Sequence, residues 1–216
     1  MEKSLSCSLC SATQVELFAQ DSRRCYFECQ RCRLVFVDQQ DFLSAAEEKK
    51  VYDQHQNDPQ DSGYRQFLSR LFDPVLAQIA DNAQGLDFGS GPGPTLSLMF
   101  EEVGHTMTIF DHFYANDPAV WQCSYDFITS SEVVEHIHQL GAELDRLWCH
   151  LNTGGVLGVM TKMVTDAEAF SRWHYKNDPT HVRFFSRQTF HWLAQHWQAE
   201  CEFVGSDVVI LRKSGG

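Results

Sequence analysis

Apolar positions along the chain recur in two patterns, and their order predicts an α/β fold. From residue 61, Tyr64, Phe67, Leu68, Leu71, Phe72, Val75, Leu76 and Ile79 repeat at three and four, the mark of an amphipathic helix. Pro74 deletes one backbone donor inside that helix and is expected to bend it. Leu96, Met99, Phe100 and Val103 give a second helix. Leu140, Leu144, Leu147, Trp148 and Leu151 give a third, and Phe190, Leu193 and Trp197 a fourth. Short apolar runs of strand length lie between them, leading into residue 85 and at 106–110, 127–129 and 156–163. The stretch between Asp111 and Tyr125 barely holds a helix and a strand, so a brief third strand is expected at 119–123. Residues 201–204 and 208–211 read as two strands joined across Gly205, Ser206 and Asp207. Strands alternating with helices predict a largely parallel sheet covered on both faces.

The first forty residues follow a different rule. Cys7-x2-Cys10 and Cys29-x2-Cys32 have the spacing of two zinc knuckles. Four cysteines close a tetrahedral shell with no position left for water, so the site is structural. The metal replaces the hydrophobic core that a module of about 40 residues cannot build alone. Short strands are expected at 15–18, 24–27 and 34–37, which makes a zinc ribbon. The division expected is a ribbon at 1–40, a linker with N-terminal helices at 41–82, and the main α/β domain at 83–216. Arg23, Arg24, Arg31 and Arg33 form a small basic cluster on the ribbon, read here as solvated surface.

The chemistry is concentrated in residues 85–94, Gly-Leu-Asp-Phe-Gly-Ser-Gly-Pro-Gly-Pro, where a strand runs through a glycine turn into a helix. That unit opens a nucleotide-binding fold. Pro92 and Pro94 remove two N–H donors that a phosphate would want, and Asp87 would repel it. An acid there suits a cationic ligand such as S-adenosylmethionine, which carries an ammonium and a sulfonium. The next strand ends in Asp111, placed to hydrogen-bond ribose hydroxyls. With residues 125–136, Tyr-Asp-Phe-Ile-Thr-Ser-Ser-Glu-Val-Val-Glu-His, these features resemble class I S-adenosylmethionine-dependent methyltransferases over roughly residues 60–213.

The resemblance implies a Rossmann-like, seven-stranded sheet with an antiparallel C-terminal hairpin. It implies cofactor contacts from Asp87, Gly89, Ser90, Gly91, Gly93, Asp111, His112, Ser130 and Glu132. His136 and His181 are the candidate catalytic groups, since imidazole titrates near neutrality. Tyr52, His55 and Tyr64 are candidate lid residues, and Trp173, Tyr175 and Phe185 candidate acceptor contacts in an aromatic segment. For each of these an ordinary packing role is the alternative. No HxxxH or HxH pattern pre-positions His136, His174 and His181 for a catalytic metal.

Charge narrows the acceptor. The net charge is −12, and residues 41–216 hold twelve basic and twenty-four acidic side chains. Nucleic-acid binders usually show a basic footprint, so a small-molecule acceptor is expected. The alternatives are an RNA methyltransferase that uses the ribbon for substrate contact, and a non-catalytic S-adenosylmethionine-binding or scaffold protein. No apolar run reaches the roughly 18 residues of a membrane span, and no signal-peptide core opens the chain. A cytoplasmic setting is therefore expected, with reduced cysteines.

Overall fold

The computed structural model describes residues 5–54 and 57–215. Two sheets organise the chain. The smaller contains β1 (Val15–Gln20), β2 (Cys25–Cys29), β3 (Val35–Val37) and β8 (Arg183–Phe184), in that order. The larger contains β4 (Gln84–Phe88), β5 (Thr106–Phe110), β6 (Tyr125–Ser131), β7 (Leu151–Met160), β9 (Ala199–Val204) and β10 (Val208–Lys213). Its order is β5-β4-β6-β7-β10-β9, with the first four strands parallel and β10 antiparallel to both neighbours.

Strand alternation fills both faces. On β10, Val208 and Ile210 face one core while Val209 and Leu211 face the other. The first core is covered by α2 (Ser62–Leu76) through Leu68, Leu71, Phe72 and Val75. Beside it lies α3 (Thr95–Glu102), which contributes Leu96, Met99 and Phe100. The second face is covered by α4 (Leu140–His150) and α6 (Arg187–Trp197). Each fully buried Leu or Phe contributes about 1.5–3 kcal/mol. Asp61 caps α2 by accepting from the Gly63 and Tyr64 amides, and Ser186 caps α6 by accepting from the Thr189 amide. Pro74 lies within the last turn of α2, which runs on to Leu76.

One expected element is absent. Residues Pro118–Gln122 form a 3-10 helix instead of a third strand, so the large sheet has six strands among the described residues. Pro118 cannot donate to a ladder, and the Asp117 carboxylate accepts from the Ala119 amide to start the turn. Trp121 then packs its ring on Phe110 and Phe88 at the sheet edge. β7 starts directly where α4 ends, so residues 152–155 belong to the strand expected only from 156.

The ribbon is built into the rest of the chain. Its fourth strand, β8, is supplied from far downstream and pairs antiparallel with β3. Tyr26, Val35 and Val37 share an apolar cluster with Val164, Phe170, Tyr175, Val182 and Phe184. Among the described residues no helix is long and apolar enough to cross a membrane.

Candidate active site

The order of the large sheet reverses at β4: β5 lies on one side of it and β6 on the other. Open α/β sheets bind ligands outside the carboxyl ends of their strands at such a point. A cavity of about 960 Å³ lies there. Of the residues the sequence singles out, Asp87, Gly89, Ser90, Gly91, Gly93, Asp111, His112, Glu132, His136 and His181 all line it, as do Tyr52 and Tyr64.

The turn after β4 is tied down by backbone bonds. The Gly89 and Ser90 amides both donate to the Phe110 carbonyl, at 2.7 and 3.2 Å. Gly89 and Gly91 hold φ of +81° and +63°, conformations that favour glycine. A Cβ on Gly91 would stand 2.9 Å from the side-chain Nδ2 of Asn57, and one on Gly93 would stand 2.1 Å from the Asn57 backbone carbonyl oxygen. The segment before α2 therefore closes over the turn, and only bare backbone fits beneath it. Asp111 braces the turn from the neighbouring strand. Its Oδ2 accepts from the Gly91 amide at 2.9 Å, and its Oδ1 from the amides of Phe113 and Tyr114 at 2.8 and 3.1 Å.

Asp87 lies below the turn and is 3 % exposed. It accepts from the hydroxyls of Thr129 (3.0 Å) and Ser97 (3.1 Å). Burial pushes its carboxyl up to about 6, against the two hydroxyl bonds, and the charge of Asp111 adds to the rise. The same burial raises Tyr64 to about 12, with Asp87 contributing.

At the other end of the cavity, Glu132 follows β6 with φ of +53°, and its buried Oε1 has no partner among the described residues. Glu135 is fully buried. Its Oε1 accepts from the Tyr175 hydroxyl and its Oε2 from the Thr161 hydroxyl at 3.1 Å. Burial, and then the charge of Glu132, raise the Glu135 carboxyl to about 8. The rings of His136 and His181 meet edge to face at 4.7 Å, and Tyr52 packs on His136 at 5.4 Å. Burial lowers the pKa of His181, partly offset by Asp178.

The methyltransferase-domain family matches residues 28–202. The chain belongs to that family. No curated protein matches it in sequence. Among solved structures, the 1,6-didemethyltoxoflavin N1-methyltransferase of Burkholderia thailandensis, solved with 1,6-didemethyltoxoflavin and S-adenosylhomocysteine, aligns with a TM-score of 0.54 at 16 % identity, over 93 % of this chain and 100 % of that one. An O-methyltransferase family protein from Burkholderia thailandensis aligns with a TM-score of 0.57 at 11 % identity, over 79 % of this chain and 62 % of that one. At such identities the likeness is one of fold. Family and fold make the protein a class I S-adenosylmethionine-dependent methyltransferase.

Not every expected residue reaches this methyltransferase's cavity. Ser130 is fully buried behind the lining, and its neighbour Ser131 is exposed to the cavity instead. Phe185 is a core residue stacked on Phe190, because β8 turns it toward α6. Trp173 packs on Phe170, Phe184 and Tyr175. Tyr175 acts from beneath through its hydroxyl on Glu135. His55 lies outside the described residues. His138 also lines the cavity, with Nε2 2.8 Å from Glu48 of α1 (Ala45–Tyr52), which lines it too.

Two features escape a sequence reading. Asn57 covers the glycine turn with no motif to announce it. Arg24, expected as solvated surface, donates to the carbonyls of Lys176, Asp178, Pro179 and His181. Arg23 donates to Asn177, and Lys176 pairs with Asp21 at 2.7 Å. The ribbon thus clamps the loop that carries His181. No local pattern signals this, because the partners are separated by some 150 positions of chain.

The four ribbon cysteines converge as expected. Their sulfurs all lie within 4.8 Å of one another, with Cys7 and Cys32 3.5 Å apart and Cys10 and Cys29 3.4 Å apart. Sulfurs about 2.3 Å from one tetrahedral ion stand about 3.8 Å apart, so the donor set fits zinc. Cys25 stands apart from this cluster.

Proposed function

We propose that this methyltransferase transfers a methyl group from S-adenosylmethionine to a small-molecule acceptor, with zinc held by Cys7, Cys10, Cys29 and Cys32 as a structural element. The observation that carries the reading is the single cavity at the reversal of the sheet, whose two ends differ in chemistry. Its volume of about 960 Å³ has room for a cofactor and a small acceptor together. The net charge of −12 argues against a polyanionic acceptor. The toxoflavin enzyme, a protein of the same fold, holds both a small heterocyclic acceptor and the product cofactor.

The residues present fit the cofactor. Bare glycine backbone under Asn57 leaves a narrow cradle, and Asp87 below it offers a carboxylate to a cationic methionine end. Asp111 retains one lone pair, on Oδ2, for a ribose hydroxyl beyond the three amides it accepts from. His112 and Phe113 follow directly and would flank the base. S-adenosylmethionine, when bound, supplies the methyl group on a sulfonium that leaves readily. The chain's own work is then alignment and exclusion of water. Tyr52, His136 and His181 wall the acceptor end. If the acceptor carries a proton, His136 and His181 are the groups positioned to remove it. His181, its pKa lowered by burial, is neutral and able to accept at neutral pH.

Calorimetry with S-adenosylmethionine and S-adenosylhomocysteine tests the cofactor, and a labelled-methyl assay on metabolite and RNA fractions tests the acceptor. Binding of both ligands with label entering the metabolite fraction is expected. Label confined to RNA, with affinity falling steeply with salt, would overturn the acceptor class. Failure of the folded protein to bind either ligand would overturn the site.

A further inference from the structure

Three donor groups meet at the acceptor end in a way that alignment of a methyl group does not require. A carboxylate oxygen of Glu135 and one ring nitrogen each of His136 and His181 lie within 4.8 Å of one another. Glu135 and His136 come from the single helical turn after β6, and His181 from the loop ahead of β8. The expectation that no HxxxH or HxH pattern links His136, His174 and His181 therefore misses a set that only the tertiary fold assembles.

Each donor is held from behind. His136 Nδ1 donates to the Thr180 carbonyl at 3.2 Å, and His181 Nδ1 to the Tyr175 carbonyl at 2.7 Å. A carbonyl oxygen only accepts, so Nδ1 carries the proton in both rings and Nε2 carries the lone pair. Bonds of this kind orient the imidazoles of metal sites and fix their tautomer. Glu135 receives one hydroxyl on each oxygen, which leaves each oxygen a further lone pair. Both hydroxyls are neutral, so among the described residues no cation of the chain is bonded to this carboxyl, which would release its proton on becoming a ligand. Two more carboxylates add to the local negative charge. Asp178 Oδ2 lies 3.9 Å from His181 Nε2, and Glu132 lines the same cavity.

We propose that Glu135, His136 and His181 bind a divalent first-row transition-metal ion, which presents open coordination positions to an oxygen or nitrogen of the acceptor. The binding site stands on these residues alone, while the role toward the acceptor rests on the function proposed above. Two imidazoles and one carboxylate suit Mn²⁺, Fe²⁺, Co²⁺ or Zn²⁺ better than Mg²⁺ or Ca²⁺, which prefer oxygen throughout. Donors about 2.0–2.2 Å from a shared ion stand at most about 4.4 Å apart, so a triad whose atoms all lie within 4.8 Å of one another is within a few tenths of an ångström of that span. Three protein ligands leave positions open, the arrangement in which a metal holds and polarises a substrate, and with Nε2 on the ion the two histidines serve as ligands in place of bases.

Titration of the full-length, zinc-loaded protein with MnCl₂, followed by loss of the free-ion paramagnetic resonance signal, tests the site without any cofactor. One Mn²⁺ bound in addition to the ribbon's zinc is expected. His136→Ala and His181→Ala should each weaken it tenfold or more. Glu135→Gln, which keeps the shape of the side chain and its place in the hydroxyl network, should do the same if the charge is a ligand. His174→Ala removes an exposed imidazole next to Lys162 and should bind Mn²⁺ as the wild type does. Circular dichroism and S-adenosylhomocysteine calorimetry on the same samples establish that the variants are folded. Absence of a bound Mn²⁺, or wild-type affinity in Glu135→Gln and both histidine variants, would overturn the proposal. S-adenosylhomocysteine binding without Mn²⁺ binding would defeat the metal site alone. The converse result would defeat the cofactor reading and leave the metal site standing.

Discussion

Asp87 shows how one residue is set against its surroundings to serve a ligand. A carboxyl raised to about 6 in the folded state favours its protonated form there. Its contribution to stability is therefore full below the unfolded value near 4 and is lost as pH rises through about 6, an effect on the order of 3 kcal/mol. A cationic ligand opposes that trend, because it favours the ionised form. Affinity for S-adenosylmethionine should rise about tenfold between pH 5 and 7 and then level off, as the ionised fraction of such a group does. Asp111 and Tyr64 also face Asp87, so the slope is assigned by Asp87→Asn, which should bind weakly and without this pH dependence in calorimetry. Gly91 makes a steric counterpart. Its φ of +63° costs a β-branched residue at least about 1–2 kcal/mol, and a Cβ would press on Asn57. Gly91→Val should keep its fold by circular dichroism and lose the rise in melting temperature that S-adenosylmethionine gives the wild type.

At the scale of elements, the loop from His174 to His181 is held by the ribbon as well as by its own hydrogen bonds. Arg24 spans four of its carbonyls with one planar guanidinium, which a lysine's single ammonium cannot reproduce. Arg24→Ala should cost about 1.5–3 kcal/mol in urea unfolding. It should also lower methyl transfer tenfold or more while S-adenosylhomocysteine affinity stays unchanged. Arg24→Lys should not restore activity. The glycine turn, Asp87 and Asp111 are legible in the sequence because their chemistry is local: a strand end, a turn and a neighbouring strand end. The clamp is not legible, because arginines on a hairpin look alike until their acceptors are known. Residues 119–123 mislead for a related reason. Val120 and Trp121 are strand formers by type, yet Pro118 and the Asp117 cap decide the local backbone. Phe185 misleads because aromatic content does not tell which way a two-residue strand faces.

Taken whole, the molecule has its cavity in the larger sheet, and the ribbon, whose described residues do not line that cavity, holds the loop that brings His181 to it. The helix and strand order of the larger sheet follows the apolar repeats closely, since each repeat belongs to its own segment whichever strands that segment comes to cover. The union of ribbon and sheet follows no repeat and is seen only in the fold. A chelator under reducing conditions should therefore do more than loosen residues 7–32. It should lower the melting temperature of the entire chain in calorimetry and abolish transfer, whereas a ribbon merely appended would leave the main transition in place. The shared strand also bears on synthesis. β3 ends at Val37 and β8 begins at Arg183. At about 5–20 residues per second, a ribosome takes roughly 7–30 s to cover that interval. For that time the nascent hairpin has an unpaired edge and its Tyr26, Val35 and Val37 face uncovered, so the ribbon waits on a strand made some 146 residues later to be finished.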